Sequence, residues 1–321
     1  MTAEYPIKAI PRSIAVFGAG GRMGRPFAQY VRYAAPDIRL RLITSSPSKV
    51  AAVQKQFPGV EVVAADYCDR ASLVPALEGM EGIFVVTPSG LDEQVGMTNL
   101  IDVVRQAAAA THIIRVVGYE PESPPSRVPA HLREMGGDGS QHYIAKAMLD
   151  ESGLPVTFLN CGASLMDNLL YTAPGLQRTD TLIWPQRYIP LIDPRDFAEV
   201  AARVLLSDDA RHITQFHTVN NGQDQFTTTV VAEIMSDVFK RRIVHDGSKE
   251  GFLKEYGPLL EQRQGRKGEG EYRWAFFEYE YGNSVVWALN NFAERMLGRK
   301  PNSFRSWLME HRHHFFPDQQ G

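Results

Sequence analysis

Residues Gly18–Gly24 read GAGGRMG. Just before them, Ile14–Phe17 is a short, β-rich apolar run, the pattern of a buried strand. Just after, Met23, Phe27, Val31 and Ala34 recur at helical spacing. The order is therefore strand, glycine turn, helix. Gly18, Gly21 and Gly24 stand three apart, with Gly20 between them. Glycine removes the Cβ that would block a tight turn and the close approach of backbone to a pyrophosphate. A helix opening near Arg22 would aim its free N–H groups and its positive dipole end at that phosphate. A glycine triplet alone is a weak signal. Its place in a first βαβ unit is what points to a dinucleotide.

Outward from this turn the alternation continues. Ile38–Thr44, Val60–Ala65, Ile83–Thr87, His112–Val117 and Val156–Asn160 read as further strands. Between them lie helical patterns. One opens at Ser46-Pro47, one is capped by Asp69, one carries Met97, Leu100, Ile101, Val104 and Ala108, and one covers about 141–152. Six strands alternating with helices predict an α/β fold, a doubly wound parallel Rossmann sheet covered on both faces. Residues 1–160 are then the dinucleotide-binding domain, which also receives about 190–222. Residues 161–321 form mainly a smaller, interleaved C-terminal α/β substrate lobe. There, Asp196 and Glu199 resemble a capping box that opens a helix through Leu206, and Phe216–Asn220 looks like another strand. Residues 119–139 and the charged, Gly-rich 262–273 read as loops, and 276–316 as an aromatic, helical tail.

Composition narrows the function. The 321 residues are 44% apolar and 22% charged, ordinary for a chain with a full core. A net charge of −3 argues against nucleic acid as a partner. With only two cysteines, Cys68 and Cys161, a disulfide framework is excluded, and a reducing, cytoplasmic setting is expected. No apolar run approaches the length of a membrane span, and the opening MTAEYPIKAIPRS does not read as a signal peptide. His311, His313 and His314 have no matching carboxylate set nearby, so no metal site is expected.

The stretch after the second strand bears on cofactor choice. An NAD site usually places an acid about 20 residues past the glycines, to hold the ribose hydroxyls. Here Thr44, Ser45 and Ser46 occupy that place, and no acid occurs between Asp37 and Glu61. Serine hydroxyls can donate to a 2′-phosphate, and Arg22 and Lys49 add positive charge. NADP(H) is favoured over NAD(H).

Six stretches occur in order: GAGGRMG, VVAADYCD with Asp66, IFVVTPSG, HYIAKAMLDESGLPVTFLNCG, IPLIDPRDFAEVAARVL and MLGRKPNSFRSWLMEH. Together they resemble the NmrA-like branch of atypical short-chain dehydrogenase/reductases over nearly the whole chain. The resemblance implies a Rossmann domain with a small C-terminal substrate lobe. It places Asp66 near the adenine, and Thr87 and Pro88 on the nicotinamide side. Members include reductases of quinones, dyes and enol-type or aromatic compounds, and also regulators that only sense the cofactor.

Short-chain dehydrogenases normally use Ser, Tyr and Lys, with the Tyr four residues before the Lys. Lys146 fits the lysine position, His142 stands where the Tyr would be, and Val117-Gly118-Tyr119 replaces the serine region. Lys146 is expected to hold ribose and assist proton transfer. His142 and Tyr119 are the further catalytic candidates. Thr157-Phe158-Leu159-Asn160-Cys161-Gly162 departs from the family's Thr-x-x-Arg-Pro-Gly, so no contact is assigned to that arginine. Trp274, Phe276, Phe277, Tyr279, Tyr281 and Trp287 line a pocket for a planar or aromatic small molecule, or form core or a homodimer interface. The expected function is an NADPH-dependent reductase of a small planar carbonyl, quinone or conjugated substrate. The alternative is a non-catalytic NADP(H)-sensing regulator.

Overall fold

Continuous apolar runs such as Ile14–Phe17 need cover on both faces, and a parallel sheet supplies it. The computed structural model describes residues 5–118, 128–161, 165–282 and 288–317. Its strands in chain order are β1 (Ser13–Phe17), β2 (Arg39–Thr44), β3 (Glu61–Ala64), β4 (Gly82–Val85), β5 (His112–Val117), β6 (Val156–Asn160), β7 (Thr181–Ile183), β8 (Tyr188–Pro190), β9 (Phe216–Thr218), β10 (Gln225–Thr227) and β11 (Val244–Asp246). Seven of them form one parallel sheet in the order β3-β2-β1-β4-β5-β6-β9. The order reverses between β1 and β4, so the C-terminal end of β1 is the switch point at which such sheets bind ligands. Helices α1 (Gly24–Ala34), α2 (Val50–Gln56), α3 (Arg70–Leu77), α4 (Glu93–Ala107), α5 (Ala130–Met135), α6 (Asp138–Glu151), α7 (Ala173–Thr179) and α8 (Pro194–Leu206) connect the strands through β9. The doubly wound Rossmann sheet expected from the sequence is the one observed.

The chain divides into two compact units. The described residues of the first fall within Met1–Gly118, Gln141–Asn160 and Arg195–Thr218. Those of the second fall within Tyr119–Ser140, Cys161–Pro194 and Val219–Gly321. In the first, every residue of β1 and β5 is buried. Phe27 stacks on Phe84 at 4.2 Å, fastening α1 to β4.

The second unit holds two small sheets, β10 antiparallel to β8 and β11 parallel to β7. It also holds α9 (Thr228–Phe239), α10 (Lys249–Gln264), α11 (Glu269–Gly282), α12 (Phe292–Leu297), α13 (Phe304–Glu310) and α14 (Arg312–Phe315). Its core gathers Met166, Leu176, Met235, Phe239, Phe304 and Trp307. Among the described residues no helix is long and apolar enough to cross a membrane.

Several local expectations need correction. Residues 262–273 are not a loop: α10 and α11 meet there, separated by a short break at Gly265–Gly268. Gly265 has φ +62° and ends α10 in the left-handed conformation that favours glycine. Buried Glu269 opens α11, accepting hydrogen bonds from Arg266 and Arg273. Helix α8 begins at Pro194, so Asp196 lies in its first turn rather than ahead of it, and Glu199 pairs with Arg203 at 2.9 Å. Part of the expected 119–139 loop is helical, as α5. Strand β9 ends at Thr218 rather than Asn220.

Candidate functional site

The glycine turn stands where the sequence places it. Gly18 has φ +64°, and a Cβ on it would lie 2.8 Å from Val86 Cγ1. A Cβ on Gly24 would lie 2.4 Å from the Gly18 carbonyl oxygen, a contact no side chain tolerates. The Gly21 N–H donates to that same oxygen at 2.8 Å, closing the turn. No side chain caps α1 at Met23, and no acid occupies its first turn. The Gly21 N–H is used inside the turn, but the start of α1 keeps its positive end, which suits a pyrophosphate. Gly20 and Arg22 are exposed, and Met23 is half-buried.

The neighbouring strand ends supply the flanks. Past β2, the Lys49 ammonium donates to the exposed Ser45 hydroxyl at 2.8 Å. The Ser46 hydroxyl is 3.0 Å from that of Ser48. A cation and a cluster of hydroxyls here suit a phosphate dianion better than ribose hydroxyls. Past β3, exposed Asp66 accepts from the Cys68 N–H at 2.8 Å, an Asx turn that leads into α3. The Asp69 cap is as expected, accepting from the Ala71 N–H at 3.0 Å.

Past β4 the structure adds residues that the sequence did not single out. The Tyr67 ring stacks on Phe17 at 4.6 Å, and its hydroxyl donates to the Val86 carbonyl at 3.2 Å. Burial raises the Tyr67 phenol well above its ordinary pKa, so it stays a donor. The next residue, Thr87, donates to Glu93 Oε1 at 2.6 Å and accepts from Arg115 Nη2 at 3.0 Å. Arg115 and Glu93 form an ion pair of 2.6 Å with 0% and 3% of their side-chain surfaces exposed. The Glu93 N–H donates to the Gln141 side-chain oxygen at 3.0 Å, tying α4 to α6. An arginine inside the apolar run IIRVV was the available signal, since so deep a cation needs a partner.

Two of the catalytic candidates, His142 and Lys146, stand one turn apart on α6. His142 is half-buried, next to Gln141. Lys146 donates to Asp150 at 2.5 Å and lies 5.0 Å from the centre of the Phe158 ring, in the middle of β6. Pro88 is exposed beside Thr87. Tyr119, Gly162 and Trp287 lie outside the described residues. Among the tail aromatics, Trp274, Phe276 and Phe277 are buried in the second unit, where Phe277 packs 5.8 Å from Trp184, while Tyr281 is half exposed.

A switch-point glycine turn in a parallel sheet of order 3-2-1-4-5-6-9 defines a Rossmann-type dinucleotide-binding protein. The chain belongs to the NmrA-like family, whose model matches residues 11–256. It is 25% identical over 314 residues to the (4-alkanoyl-5-oxo-2,5-dihydrofuran-3-yl)methyl phosphate reductase of Streptomyces griseus, spanning 95% of this chain and 100% of that protein. It is 25% identical over 239 residues to quinone oxidoreductase 2 of Escherichia coli, spanning 74% and 78% of the two chains. A solved Escherichia coli NADPH-dependent quinone oxidoreductase, complexed with NADPH, superposes with a TM-score of 0.73 at 21% identity, covering 93% of this chain and 99% of that one.

Proposed function

We propose that this chain is an NADPH-dependent reductase of a small planar carbonyl, quinone or conjugated substrate. The observation that carries the reading is the bare cradle between Gly18 and Gly24, beside the Ser45–Lys49 pair. The similar proteins support it, since each named above is a reductase or oxidoreductase and one is complexed with NADPH.

Backbone N–H groups within Gly20–Met23, apart from that of Gly21, which closes the turn, hold the pyrophosphate. Ser45, Ser46 and Lys49, with Arg22, hold the 2′-phosphate. Asp66 adjoins the adenine, and Thr87 and Pro88 the nicotinamide. The bound cofactor supplies hydride. His142 supplies the proton, standing beside the Gln141 contact that anchors its helix. Lys146 holds the ribose, since its ammonium has donors beyond the one given to Asp150.

His142 in the place of the usual Tyr, and Val117-Gly118-Tyr119 in place of the serine region, favour a second reading, a regulator that binds NADP(H) without turning over. Steady-state NADPH oxidation across a panel of quinones and enones separates the two. A reductase consumes NADPH with some members of the panel, and His142→Ala slows it at least about tenfold while nucleotide affinity is retained. Tight nucleotide binding with no turnover on any substrate favours the regulator. For the cofactor, calorimetry should show NADPH binding more tightly than NADH, and Lys49→Ala should weaken NADPH about tenfold, the worth of one charged hydrogen bond. Equal affinities in the wild type would remove NADP(H) preference from this reading.

A further inference from the structure

The cluster past β4 does more than fill the core. A threonine hydroxyl has one hydrogen to donate and two lone pairs to accept with. Thr87 spends its hydrogen on Glu93 Oε1 and one lone pair on Arg115 Nη2. Neither partner can reverse these roles, because an ionised carboxylate only accepts and a guanidinium only donates. The single capacity left on the half-buried Thr87 hydroxyl is as an acceptor.

Thr87 also has a defined place. Val86, its neighbour, packs against the Gly18 position and is held through its carbonyl by Tyr67. A dinucleotide whose pyrophosphate lies at the β1 turn and whose 2′-phosphate lies past β2 extends its other half past β4. Thr87 is the first residue past that point to offer a hydroxyl. The cluster is moreover an expensive way to hold a strand end. Glu93 Oε2, Arg115 Nε and Arg115 Nη1 are buried with no hydrogen-bond partner among the described residues. A buried ion pair is weak grounds for stability, and orphaned polar atoms beside one count against a purely structural role.

We propose that Glu93 and Arg115 are positioning residues that lock the Thr87 hydroxyl as an acceptor for the carboxamide N–H of the nicotinamide. The lock would choose one face of the amide, its NH₂, and so fix how the ring is turned. This rests on the nucleotide site proposed above.

The test measures binding rather than turnover. Affinities are taken by calorimetry for NADPH, for its 3-acetylpyridine analogue, which has a methyl ketone in place of the carboxamide, and for adenosine 2′,5′-bisphosphate, which lacks the nicotinamide half. Thr87→Val removes the acceptor and leaves the Glu93–Arg115 pair in place. It should cut the preference for NADPH over the analogue roughly fivefold to tenfold, the worth of one hydrogen bond. Thr87→Ser should restore the preference. Glu93→Gln, whose amide can donate to Thr87, frees the hydroxyl to donate and should lower the preference as well. Bisphosphate affinity should be the same in all of these. An unchanged preference in Thr87→Val, with bisphosphate still bound, overturns this inference alone. Failure of the wild type to bind either NADPH or the bisphosphate overturns it together with the proposed function.

Discussion

Single positions in the first unit carry distinct physical loads. Gly24 is the least replaceable, because its missing Cβ would sit 2.4 Å from backbone that has nowhere to go. Gly24→Ala is expected to lower nucleotide affinity at least about tenfold, since moving α1 by a fraction of an ångström misaims its N–H groups. Calorimetry with NADPH checks this, and wild-type affinity in the variant would contradict it. His112 carries a different load. It is fully buried at the start of β5, with Nε2 at 2.8 Å from the Thr157 hydroxyl. Burial, and then the nearby Lys8 charge, push its pKa down from 6.5 to about 3. The folded chain holds the ring neutral, whereas the unfolded chain takes up a proton once the pH drops below about 6.5. The contribution to stability is therefore full above pH 6.5 and is lost progressively as the pH falls toward 3. Between pH 7.5 and 5 the wild type should lose about 2 kcal/mol more stability than His112→Gln. Urea melts at the two pH values measure the difference, and parallel losses would refute the assignment.

At the level of elements, the junction of α10 and α11 shows how composition can mislead. QRQGRKGEGEYR looks like a charged loop because six of its residues are Arg, Lys or Glu, broken by three glycines. Two of those glycines flank a sharp reversal at positive φ, and the third, Gly270, is a packing residue. A Cβ on Gly270 would lie 2.9 Å from the Gly257 Cα, so the two helices approach backbone to backbone there. Gly270→Ala should cost about 1–3 kcal/mol by overpacking. The readout is a lower urea midpoint with the nucleotide affinity of the first unit unchanged, and an unaltered midpoint would mean that the contact yields freely. In the first unit the elements were easier to read. Asp69 and Asp92 cap α3 and α4 with their own carboxylates, a local effect that residue type announces. The true start of α8 was not announced, because Pro194 is as good a first helical residue as Asp196 is a cap.

For the whole molecule, cofactor binding and folding are linked. NADPH at about 100 times its Kd should add about 2.7 kcal/mol to the stability of the folded state. Thermal unfolding with and without NADPH should show a higher transition in the wild type and little change in Gly24→Ala, while equal shifts in both would separate stabilisation from the glycine turn. Local periodicity and glycine spacing determined, without tertiary information, the parallel sheet, the turn at Gly18–Gly24 and the hydroxyl-rich end of β2, because each depends on residues adjacent in the chain. The Thr87–Glu93–Arg115 cluster and the placing of Lys146 against the Phe158 ring were decided only in three dimensions. Burying a charge forces it to find a partner, and which partner lies within reach depends on strand order and helix packing, which no short stretch of sequence encodes.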